Sequence, residues 1–131
     1  MKVAFLIGGI VATGGLCLHV YTMEHWIYPK LKDIGFPSTP FGDATQMKKA
    51  YRMLWHFFTV NIVGTAALDF IFYFTNWFDN PVPIARVLAA EWFAQVFVCF
   101  CISHFSPTQL IKAFQWVILL VIGLCTWLGT V

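Results

Sequence analysis

The residues whose types suit chemistry are few: His19, Glu24, His25, Arg52, His56 and His104. Neutral imidazole ligates zinc, iron, copper or haem through a ring nitrogen. Arg52 and His56 stand four apart, so on a helix they share a face. Cys101 and His104 stand three apart on another run. Zinc would draw three or four ligands from His19, His56, His104 and Glu24. A haem between helices needs an inward axial ligand, and His19 with His56 is the pair best placed for it. Glu24, Arg52 and His56 would alternatively suit a quinone or proton relay. The candidate metal ligands are therefore His19, His56 and His104. The candidate cofactor-binding set, for haem or a transition metal, is His19, Glu24, Arg52, Trp55 and His56. No local spacing such as HExxH marks either set. A structural reading stands beside them, in which Glu24 pairs with Arg52 and the imidazoles satisfy helix ends or snorkel to headgroups.

A second polar set lies elsewhere. Asn61, Thr65 and Asp69 recur every fourth residue, as do Glu91, Gln95 and Cys99. On adjacent antiparallel helices Asp69 and Glu91 fall at similar depth. They are expected either to form an interhelical hydrogen-bonded pair or to line a cation or proton path, because ionisable groups in apolar spans usually face the bundle interior.

The elements that must position these groups follow from composition. The chain has 131 residues, 60% hydrophobic and 11% charged. A water-soluble domain that apolar could not cover its surface with polar groups. Four apolar runs, residues 3–23, 53–77, 84–104 and 110–130, each approach the roughly 20 residues that span a bilayer. Backbone in hydrocarbon must bond within its own segment, so the runs are expected to be helices. The expectation is an all-α integral membrane four-helix bundle, antiparallel and up-down, forming one domain over residues 1–131. The third run, with Glu91 and Gln95, could also be a buried soluble helix, but its length and neighbours argue for a span. Lys2 before the first run has the look of a signal peptide. The run instead continues to Tyr21 and Trp26 without a small-x-small cleavage site, so it reads as a membrane helix.

Loop one, residues 24–52, is the long connection and carries Pro29, Pro37 and Pro40. Asp43 and Gln46 read as a capping box, with a helix from Ala44 running directly into the second span. Tyr28, Phe36 and Phe41 suggest that this loop lies against the membrane surface. Asn80-Pro81-Val82-Pro83 reads as a turn with a helix start, and Pro107 marks the start of another. Short second and third loops predict neighbouring antiparallel helices.

Charge sets the orientation. The side holding the termini and loop two has Lys2 and Arg86. The side holding loops one and three has Lys30, Lys32, Lys48, Lys49, Arg52 and Lys112. Positive-inside asymmetry places that second side in the cytoplasm and both termini in the periplasm. All four histidines then fall in one layer near the cytoplasmic face. Trp26, Trp55, Trp77 and Trp127 lie near span ends as an aromatic belt, with Trp55 and Trp116 also able to line a site. Gly15, on the His19 face, would allow close helix approach. Cys17, Cys99, Cys101 and Cys125 form no CxxC pair and read as small buried hydrophobes. The net charge of +2 comes from scattered residues, so no nucleic-acid partner is expected.

His19-x4-Glu24, then Arg52-x2-Trp55-His56, then Gln115-Trp116 with Gly123, resembles a pattern in small, uncharacterised four-helix bacterial membrane proteins. The resemblance implies that His19, Glu24, Arg52, Trp55 and His56 belong together, and it carries no activity to transfer. The chain does not resemble the membrane-bound glutathione-linked enzymes. It also lacks the cysteine pairs of the disulfide-forming quinone oxidoreductases. The function expected is an accessory or scaffold subunit of the bacterial inner membrane, with lipid, copies of itself or a larger complex as partners. The alternatives are a haem- or metal-binding redox protein and a small transporter or channel subunit using Asp69 and Glu91. The last would require an oligomer, because four helices seldom enclose a path.

Overall fold

Buried residues recur on each helix at the spacing of one helical face. They are Phe5, Gly8, Gly9 and Ala12; Ile62, Thr65, Ala66, Asp69 and Phe72; Ala85, Ala89, Trp92 and Val96; and Leu119, Ile122, Gly123 and Thr126. Four such stripes facing inward make a bundle. The computed structural model describes residues 2–31, 36, 40, 42–103, 105–112 and 115–131. In it α1 is Lys2–Tyr21, α2 Ala44–Phe74, α3 Val82–Ile102, α4 Pro107–Lys112 and α5 Gln115–Leu128. No strand occurs among the described residues.

A π-helical turn, Thr22–Ile27, extends α1, so the helical rod runs from Lys2 to Ile27. That rod, α2 and α3 are each long and apolar enough to cross a membrane. α2 has 31 residues, which at about 1.5 Å each exceeds an apolar layer of roughly 30 Å. Its first turns, with Lys48, Lys49 and Arg52, are the polar surplus. α5 has 14 residues, about 21 Å of helix and short of that thickness. The expected fourth span, 110–130, is thus described as the end of α4 and as α5, with 113–114 outside the described residues.

The boundaries follow local chemistry. Asp43 Oδ1 accepts from the Gln46 amide at 2.8 Å, and Gln46 Oε1 accepts from the Asp43 amide at 3.0 Å. This closes the anticipated capping box and starts α2 at Ala44. Asn80 Oδ1 accepts from the Val82 amide at 3.1 Å, and α3 opens there with a proline in its first turn.

α1 packs on α2 and α5, and α5 packs on α3. The start of α1 lies beside the end of α2, through Lys2 Nζ to Asn76 Oδ1 at 3.1 Å and Phe5 on Phe72 at 5.2 Å. Its far end meets the first half of α2, where His19 stacks on Trp55 at 4.5 Å. The short second loop leaves α2 and α3 as neighbours, as expected, but their backbones do not pack closely. Those helices meet through side chains, because Trp92 and Phe58 stand edge to face between them, 5.9 Å apart. Trp92 is fully buried, and its indole N–H donates to Thr65 Oγ1 at 3.2 Å.

The cysteines correct the sequence expectation in part. Cys99 and Cys125 are half-buried, but Cys17 and Cys101 sit on the exposed helix surface. Small size alone does not choose the inward face of an apolar helix.

Candidate functional site

An α-helix that continued regularly past Tyr21 would place Glu24 by the ordinary 100° step. Here the Tyr28 amide instead bonds the Met23 carbonyl at 2.7 Å, five residues back. This wider turn re-aims the residues after Tyr21, and Glu24 faces α2. Arg52 grips Glu24 with two hydrogen bonds, Nη2 to Oε2 at 2.6 Å and Nε to Oε1 at 3.0 Å. One turn further along α2, His56 Nε2 donates to Glu24 Oε1 at 3.0 Å. The carboxylate therefore fastens the end of the first rod to two successive turns of α2. Paired, charge-assisted bonds of this kind fix orientation as well as distance.

Tyr28 completes the clasp. Its ring lies 4.5 Å from Arg52 Cζ and 4.8 Å from Lys48 Nζ, cation–π distances. Phe36 rests near Tyr51 at 6.1 Å. These loop aromatics thus pack onto the polar extension of α2. Phe41 lies outside the described residues.

His19 sits deeper. Its Nε2 lies 3.3 Å from the Trp55 carbonyl, and a carbonyl only accepts, so that nitrogen carries the proton. The ring stacks on the Trp55 indole at 13° and tilts against Phe58. His19, Glu24, Arg52, Trp55 and His56 therefore do gather at one end of the bundle. They form two pieces, a clasp and a stack, rather than a ligand ring. His25 turns to Tyr21 at 4.8 Å, and His104 lies outside the described residues.

A metal fits this arrangement poorly. His19 and His56 each use Nε2 as a donor to a different acceptor. Among the described residues no group of three or more His, Cys, Asp or Glu side chains is placed to hold a metal ion.

The second polar set also departs from expectation. Asp69 and Glu91 do not pair. Asp69 is fully buried, and Thr126 Oγ1 donates to its carboxylate at 3.1 Å. Gly8 opens the slot: a Cβ there would lie 2.6 Å from Asp69 Oδ2. Glu91 is exposed and accepts from Asn61 Nδ2 at 2.8 Å and from Gln95 Nε2 at 3.4 Å. The reason is geometric. Four residues of α-helix advance by about 400°, so a four-residue repeat drifts about 40° per step. Two steps from Asn61 to Asp69 turn the carboxylate from α3 toward α1 and α5.

Sequence reasoning missed one large feature. A cavity of about 800 Å³ opens between the helices at the clasp end. α1 and the π-helical turn line it from Gly15 to Trp26, α2 from Leu54 to Ile62, α3 from Gln95 to Cys99, and α5 from Gln115 to Ile122. Among the described residues its lining holds no Lys, Arg, Asp or Glu. Trp55 and Gln95 both line it, and Trp55 Nε1 and Gln95 Oε1 are buried without a hydrogen-bond partner. The available signal was Gly15 beside Ile118, where an added Cβ would come within 3.1 Å of Cγ2. It marks where α1 and α5 touch beneath the opening.

The chain matches no family model, no curated protein and no solved structure.

Proposed function

We propose that this chain is a small multi-pass inner-membrane protein of accessory or scaffold type, working within a larger membrane complex or with copies of itself. The observation that carries the reading is the use of its ionisable cluster. Glu24 is engaged by Arg52 and His56, so the groups that looked chemical fasten the π-helical turn to α2. The small bacterial membrane proteins it resembles, with their shared His, Glu, Arg and Trp pattern, are where we place it.

In this reading the helices cross the bilayer up and down, with α4 and α5 together making the fourth crossing. The lysine-rich loops one and three face the cytoplasm, and both termini face the periplasm. Lipid covers Val60, Phe74, Val87 and Ile102, which are all exposed.

Purification from bacterial membranes in mild detergent tests the reading. A fixed stoichiometric complex, with other proteins or with copies of the chain, is expected. A solitary monomer would count against it. A Soret band abolished by His56→Ala would replace it with the haem reading. In a cysteine-free background, Asp79→Cys should react with an impermeant maleimide from the periplasm and Lys48→Cys should not.

A further inference from the structure

The cavity at the clasp end raises a separate question, because its lining is nearly all apolar yet contains two unpartnered polar atoms. Its volume, about 800 Å³, lies in the range of small-molecule sites, roughly 300–1,000 Å³. Such sites are mostly apolar, with a few placed polar groups that orient the ligand. Here those groups are one donor, Trp55 Nε1, and one acceptor, Gln95 Oε1. A buried donor or acceptor left unpaired costs more than an ordinary hydrogen bond contributes, so an occupant that pairs with both is favoured.

Charge selects the headgroup. No Lys, Arg, Asp or Glu lines the cavity among the described residues, and His19, which does line it, turns its Nε2 to the Trp55 carbonyl. The nearby guanidinium of Arg52 is engaged with Glu24. A phosphate or carboxylate headgroup would enter without a counter-charge, which apolar surroundings penalise heavily.

We infer that the cavity binds a neutral lipid-like amphiphile, its oxygen headgroup accepting from Trp55 Nε1 and donating to Gln95 Oε1, its apolar body lying against Phe58, Ile62 and Leu119. A hydroxyl does both. Long-chain alcohols and isoprenoid quinols share that chemistry. His19, stacked on Trp55, acts as a positioning residue by holding the indole.

The test uses the full chain in detergent with three probes: a brominated long-chain alcohol, the matching brominated carboxylate at pH 8, and a short-tailed quinol. Bromine quenches tryptophan on contact, and quinol binding is followed by native mass spectrometry. Saturable one-to-one quenching by the alcohol, absent with the carboxylate, is expected. Competition by the quinol would assign it the site, and no competition would assign the site to lipid alcohols. Gln95→Leu removes the acceptor without adding a polar group, and should weaken alcohol binding roughly two- to tenfold. Trp77→Phe, at the exposed far end, should leave affinity unchanged, and a wild-type circular-dichroism spectrum and elution profile show that Gln95→Leu folds. Non-saturable quenching, equal binding of the carboxylate, or unchanged affinity in Gln95→Leu would each overturn the inference.

Discussion

The two ends of the bundle are built on opposite plans. At the end holding Lys2 and Asn76, the buried stripes converge: Phe5 meets Phe72, Gly8 admits Asp69, and Thr126 bonds that carboxylate. At the other end the stripes stop. The last buried residue of α1 before the π-helical turn is Ala12, and α2 has none before Ile62. Between those positions and the clasp lies the cavity. One end is held by close packing, the other by the Glu24 clasp, the His19–Trp55 stack and buried Met23 around an open cavity. The bundle is therefore filled unevenly, closely packed at one end and open at the other.

Substitutions break or sharpen this contrast. The largest effect should come from Trp92→Ala, which empties the fully buried wedge between α2 and α3. A loss of about 3–5 kcal/mol is expected, read as the shift in a detergent-unfolding midpoint. Overfilling should separate the two ends directly. Gly8→Leu at the packed end should lose about 1–3 kcal/mol. Cys99→Leu, in the cavity wall, should change stability by less than about 0.5 kcal/mol, within the range of substitutions that strike no special feature. Equal costs would abolish the distinction.

Thr126→Val leaves the buried Asp69 carboxylate without its donor. It should cost about 1–2 kcal/mol by the same assay, whereas Thr126→Ser should restore most of it. Glu24→Gln should act locally rather than globally. Amide exchange over residues 22–28 should quicken severalfold while that of α3 holds, since the clasp ties only the π-helical turn to α2. The smallest effect belongs to Glu91→Gln. Glu91 itself is exposed and meets Asn61 and Gln95 only through its outer carboxylate, so stability should move by less than about 0.5 kcal/mol.

Much of the clasp was legible beforehand. Arg52 and His56 share a face by spacing alone, and the apolar runs set Glu24 at their depth. The capping box at Asp43 likewise fixed the start of α2, because that chemistry is local. The π-helical turn was not legible, since nothing in Thr22–Ile27 distinguishes it from ordinary helix by residue type. Asp69 with Glu91 misled for a definite reason. A four-residue repeat implies one face only over a turn or two, and the helical drift carried Asp69 to another neighbour.

The amino-acid order by itself determined the class of fold. Enough apolar residues stand in long runs that only backbone satisfied within each segment is affordable in hydrocarbon, and that requirement needs no partner. Which helices lie against which, and where they part, was decided only in three dimensions. The separation of α2 from α3 depends on how the Trp92 indole meets Phe58 and Thr65 across the bundle. The cavity lies where side chains of four separate helical segments leave space between them, whereas Phe5 with Phe72 and Gly8 with Asp69 interlock at the other end. No single run encodes that distance, because it is set by pairs of residues far apart in the chain.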